Sequence, residues 1–102
     1  MLPTSANIAA EAAGFIKKTP ANGTISLIYG NINNGYPIVN YEYAIVQAHQ
    51  SSSSTAKNIR SVLEWAINKN YGSDTSYLSQ VDFQALPTKV FAQSVKQILN
   101  IK

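Results

Sequence analysis

The sequence predicts an α/β domain with two strands and three to four helices, and three observations carry that prediction. The run Tyr36-Pro37-Ile38-Val39-Asn40-Tyr41-Glu42-Tyr43-Ala44-Ile45-Val46-Gln47 is the longest stretch rich in β-branched and aromatic residues. A shorter run, Thr24 to Tyr29, reads as a second strand. Apolar residues then recur at helical spacing before, between and after these runs.

The long run organises the rest. Gly35 and Pro37 bound it on one side and a polar tract from Gln47 bounds it on the other. At a period of two, Val39, Tyr41, Tyr43 and Ile45 share one face, while Ile38, Asn40, Glu42, Ala44 and Val46 share the other. The second face turns from polar to apolar along its length, so the strand is expected to pass from a surface into an interior. Pro37 has no N–H for a ladder and suits only the first residue or an edge.

Taken in order, Leu2-Pro3-Thr4-Ser5 offers N-caps in Thr4 and Ser5. Ile8, Ala12, Phe15 and Ile16 then mark an amphipathic helix to about Lys17, with Lys17 and Lys18 at its C-terminal end. Gly14 weakens that helix by about 1 kcal/mol relative to alanine and points to a close packing contact. Thr19-Pro20-Ala21-Asn22-Gly23 breaks it with turn chemistry. Gly30 to Gly35 is a loop in which Asn34-Gly35 tolerates positive φ. Gln50 to Thr55 is a serine-rich surface loop that ends in helix-capping residues. From Thr55 to Asn70 the stripe Ile59, Val62, Leu63, Ala66 and Ile67 gives the strongest helix, with Arg60 and Glu64 as an i,i+4 pair and Trp65 off the stripe. Tyr71-Gly72-Ser73-Asp74 stops it. Ser76 to Val81 makes a short helical turn, and Pro87 can open a last helix with Phe91, Val95, Ile98 and Leu99 as its apolar stripe.

Composition narrows the function classes. A chain of 102 residues with 45% hydrophobic residues is one domain or part of one, and too apolar for disorder. The formal charge of +3 is spread over scattered lysines, with only Lys17 and Lys18 adjacent, which argues against a nucleic-acid patch. With no cysteine there is neither a disulfide framework nor a thiolate metal site. No apolar run reaches membrane-spanning length, and the N-terminus shows no basic region followed by an apolar one, so no secretion signal is read.

No chemical signature emerges from the residues. His49 is the single histidine, and Glu42, the nearest acid, lies seven residues away, so a surface role outweighs a metal or base role. Glu11, Glu42, Glu64, Asp74 and Asp82 form no local pair. Nucleophile-elbow, phosphate-loop and dinucleotide motifs are missing. A phosphate at the helix start after Ser51–Thr55 is conceivable, although serines there ordinarily cap. Tyr29, Tyr36, Tyr41 and Tyr43 suggest a stacking platform, against which their alternation with Val39 and Ile45 favours packing. The expectation is a non-enzyme with no catalytic residues, no metal site and no cofactor, and with its ligand-binding residues unknown.

A resemblance adds to this. Tyr36 to Val46, Val62-Leu63-Glu64-Trp65-Ala66-Ile67, and Tyr77 to Pro87 (Tyr-Leu-Ser-Gln-Val-Asp-Phe-Gln-Ala-Leu-Pro) strongly resemble the C-terminal third of the PstS-type phosphate-binding proteins of ABC phosphate importers. Ala12-Ala13-Gly14-Phe15 and Lys18-Thr19-Pro20-Ala21-Asn22 resemble the helix and turn before it, so nearly the whole chain is covered in order. The resemblance implies the C-terminal segment of a two-lobed type II periplasmic-binding-protein fold. Residues 1–35 would lie in the second lobe, 36–47 would be the inter-lobe crossing strand, and 48–102 would be a first-lobe helical segment. It implies scaffold and hinge in the extracytoplasmic capture of inorganic phosphate, with an ABC permease as partner of the intact protein. The family's Ser-Gly-Thr helix-start motif and gripping arginine and aspartate motifs do not occur here, so no phosphate contact carries over and the family's N-terminal portion would be needed for binding. The alternative is a free-standing interaction domain with no phosphate binding of its own. If the chain is such a segment, the strand left without its neighbours is expected to favour self-association, whereas an independent small domain would be a concentration-independent monomer.

Overall fold

Helix is the only regular structure that forms. The computed structural model describes residues 1–102; it is 46% helical and contains no strand or sheet. The expected α/β class is therefore overturned, and with it the two-strand segment of a two-lobed type II periplasmic-binding-protein fold. Helix α1 spans Ser5–Gly14 and runs into a 3₁₀ turn at Ile16–Lys18. Helix α2 spans Ser53–Ile67, α3 is the single turn Thr75–Leu78 followed by a 3₁₀ turn at Ser79–Val81, and α4 spans Thr88–Leu99.

The two expected strands lie side by side without pairing. They run antiparallel, since Tyr29 N–H donates to the Pro37 carbonyl at 2.8 Å, while Leu27 N–H meets Asn40 Oδ1 and Ile25 N–H meets the Tyr43 hydroxyl, each at 3.2 Å. Only the first of these is a backbone bond. Further from the loop, the Asn40 and Tyr43 side chains stand between the two backbones and take the N–H groups that a ladder would use. The loop between the runs is built from positive-φ residues, Tyr29, Asn31 and Asn34. The predicted progress from wet to dry is also reversed. Burial alternates from Ile38 to Glu42, with Val39 and Tyr41 inward, but Tyr43 to Val46 are all exposed and Ile45 is 98% so.

Two small apolar clusters hold the chain. In the first, α1 contributes Ala12, followed by Phe15 just beyond its end, and both pack on the wholly buried Leu27 with Ile25, Ile32, Val39 and Tyr41 around them. Thr4 caps α1 by accepting the Asn7 N–H. Gly14 does mark a close contact, because a Cβ there would meet Ile32 at 2.4 Å. The second lies where α2 and α4 pack together. The buried apolar residues of these two helices are Ala56, Val90 and Ile98, with Ile101 just beyond the end of α4. Both helical stripes are narrower than expected: Ile59, Leu63 and Ile67 face inward, while Val62 (64% exposed) and Leu99 (57%) do not. Arg60, expected to pair with Glu64, instead donates to the Ile101 carbonyl and ties α2 to the C-terminus.

Packing is sparse for the size. Ten of 102 residues are buried, and the accessible surface is 7122 Å². A folded monomer of this mass exposes about 5,700 Å², so about 1,400 Å² remains uncovered. The radius of gyration, 14.6 Å, likewise exceeds the about 12.8 Å of a typical domain of this length.

Candidate functional site

The segment from Ile38 to Val46 is the feature that sets this chain apart. None of its nine backbone N–H or C=O groups takes part in a hydrogen bond. Backbone groups left without a protein partner must be held by water or by another chain. The segment's own Asn40 and Tyr43 side chains fix it instead. The Tyr43 hydroxyl accepts the Ile25 N–H and lies 2.8 Å from the Gly23 carbonyl and 3.1 Å from that of Ile25, to one of which it donates. The Tyr41 and Tyr43 rings meet edge to face, with centroids 6.3 Å apart.

On one side of the segment lies a groove of about 640 Å³, lined by Tyr41, Tyr43, Ile45, Leu63, Val90 and Ile98 among others. At its rim Gln97 donates from Nε2 to the Asn22 carbonyl at 2.8 Å, which ties α4 to the turn that follows α1. A second hollow of about 500 Å³ has Ile8, Leu27, Ile38 and Phe83 in its wall. Tyr41 lines both, and its buried hydroxyl has no hydrogen-bond partner. Burial pushes the Tyr41 phenol above its ordinary value, and the neighbouring Tyr43 adds to that.

The residues weighed for chemistry are scattered. His49 is exposed on the loop before α2. The serine tract caps: Ser52 Oγ accepts the Thr55 N–H and also lies within hydrogen-bond reach of the Thr55 and Ser54 hydroxyls. Asp74 caps α3, accepting from the Ser76 side chain at 2.6 Å and its N–H at 2.8 Å. These bonds, the side-chain one first, hold its carboxyl below the usual carboxylate range. No three His, Cys, Asp or Glu side chains gather where a metal ion could sit. Of the four tyrosines considered as a platform, only Tyr41 and Tyr43 bring their rings together, and edgewise.

Glu11 was not singled out from the sequence, yet it is one of the most buried side chains. Its Oε1 accepts the Gly30 N–H at 3.0 Å, and a Cβ at Gly35 would come within 2.1 Å of its Oε2. The carboxylate thus clamps the Gly30–Gly35 loop onto α1, where glycine alone leaves it room. A signal did exist: Ile8, Glu11, Ala12 and Phe15 occupy i, i+3, i+4 and i+7, so Glu11 sits on the inner face of its helix.

The assembled site offers apolar contact and free backbone donors and acceptors along one edge. Such a surface suits polypeptide better than a small anion. No protein-family model matches the chain.

Proposed function

We propose that this chain is a non-catalytic segment of an extracytoplasmic phosphate-binding protein, supplying scaffold and hinge for phosphate capture in ABC import. It grips no phosphate by itself. The observation that carries the reading is the resemblance along Tyr36–Val46, Val62–Ile67 and Tyr77–Pro87 to PstS-type proteins. Two features of the molecule support the division of labour. The Ser52 hydroxyl at the start of α2 is engaged in capping that helix, and the exposed surface exceeds that of a self-sufficient monomer by about 1,400 Å². The gripping groups would come from the N-terminal portion of such a protein, and the permease would be engaged only by the assembled whole.

A second reading has one observation in its favour. The unbonded run Ile38–Val46 is itself a ready interaction edge, as a free-standing small interaction domain would require.

Calorimetric titration with inorganic phosphate separates the readings. The chain alone should show no saturable binding, and the chain mixed with the N-terminal two-thirds of a PstS-type protein should bind. Tight binding by the chain alone would overturn the scaffold assignment. A mixture that stays silent, with the N-terminal portion folded, would favour the interaction domain.

A further inference from the structure

We infer that the chain by itself pairs with a second copy through the segment Val39–Gln47, the two strands running antiparallel about a two-fold axis at Tyr43. The inference stands on the molecule alone and does not depend on the phosphate reading. Its first support is the backbone: from Ile38 to Val46 every N–H and C=O lacks a bond, and no residue there has positive φ. Alternating burial from Ile38 to Glu42 shows the two-residue period of extended chain. Such an edge is ordinarily blunted by lysine, proline or a bulge. Here the run after Pro37 contains none of the first two, and its one charge is Glu42.

The area fits a dimer. A stable protein–protein interface takes about 800 Å² from each partner, and this chain has about 1,400 Å² more surface than a monomer of its mass ordinarily exposes. Ile45, 98% exposed, and Tyr43, 47% exposed, are apolar side chains that the free segment leaves open to solvent.

Symmetry and charge then fix the register. In a two-fold antiparallel pair the axis stands perpendicular to the sheet, so one residue must face its own copy. The midpoint of the free run is Glu42, and centring there would set two carboxylates opposite each other. A centre on Ala44 would draw in Ala48, whose carbonyl already accepts the Lys102 backbone N–H at 2.8 Å. The Gln47 carbonyl at the end of a Tyr43-centred pair is held only by the nearby Gln50 side chain, Nε2 at 2.6 Å. Centring on Tyr43 places Glu42 across from Ala44 and Tyr41 across from Ile45, an aromatic–β-branched pair made twice. The most exposed apolar side chain of the segment is thereby covered.

Sedimentation equilibrium on the full chain, over a hundredfold range of concentration, should give a monomer–dimer equilibrium with no larger species. Ala44→Pro removes one N–H from an exposed position that bonds to nothing within the chain. It should raise the dimer dissociation constant about tenfold or more, with the helical circular dichroism unchanged. Because the chain has no cysteine, single thiols report the register: Tyr43→Cys should cross-link to its copy on mild oxidation, and Ala44→Cys much less. A monomer at all concentrations, growth without limit, or an Ala44→Pro chain that dimerises as well as its parent would each overturn the proposal. Preferential cross-linking of Ala44→Cys would overturn its register.

Discussion

Leu27→Ala attacks the centre of the first apolar cluster and should be the most damaging single truncation in the chain. Leu27 is wholly buried, against Ala12 and Phe15, with Ile25, Ile32, Val39 and Tyr41 closing over it. Three carbons are removed, at about 0.8 kcal/mol each for lost burial, which gives about 2.4 kcal/mol. The cavity left behind adds to this, but the neighbours are only partly buried and can collapse inward, so the total should be about 3 kcal/mol, near the low end for such truncations. Urea denaturation followed by circular dichroism at 222 nm measures it, with a midpoint shift of about 1–3 M at ordinary slopes. Protein concentration must be held fixed, because a dimer ties apparent stability to mass action. A loss below about 1 kcal/mol would show that Leu27 is not enclosed by α1 and the two adjacent runs.

Leu63→Ala, half-buried between α2 and α4, should cost about 1–2 kcal/mol, whereas Lys57→Ala on the exposed face should stay within about 0.5; equal losses in denaturation midpoint would mean the phase of α2 is wrong. Ser52→Ala removes the α2 cap and should cost about 1 kcal/mol by the same assay, and Ser52→Asp should restore it. Asp74 should titrate below the usual carboxylate range by NMR, and Ser76→Ala should raise it; a depressed folded value means its small stabilisation is present at neutral pH and is lost as pH falls through that value. Tyr41 runs the other way. Its raised phenol favours the fold below the ordinary tyrosine range, and that contribution should disappear as pH climbs through the folded value, seen as loss of helical signal in alkali.

The helices were largely legible in the sequence because local chemistry decides them. Thr4 and Ser52 cap where turn-formers precede an apolar stripe, and Pro87 stands at the entrance to α4. Their phases were less legible. In α4 the buried residues are Val90 and Ile98, and Ile101 beyond its end completes the face; Phe91 is only partly covered and Leu99 points out. That choice depends on where α2 lies, which no periodicity contains.

The strands show the opposite limit. Tyr36–Gln47 has the composition of a strand, and the chain does lay it antiparallel to Thr24–Tyr29, but propensity cannot supply a ladder. The Asn40 and Tyr43 side chains take the N–H groups that pairing needed. Glu11 was missed for a related reason. A carboxylate on an apolar stripe reads as an interruption until Gly30 is seen bringing its N–H to meet it.

The unpaired backbone of Ile38–Val46 is open to direct measurement by residue-resolved amide hydrogen exchange. In dilute solution the amides from Val39 to Gln47 should exchange at close to unstructured rates while those of α2 are protected. As concentration rises, protection should appear at alternate residues of the segment, in the pattern of a single antiparallel edge. Protection of the whole run at the lowest concentration, equal to that of α2, would show a sheet already formed within the chain and would contradict the account.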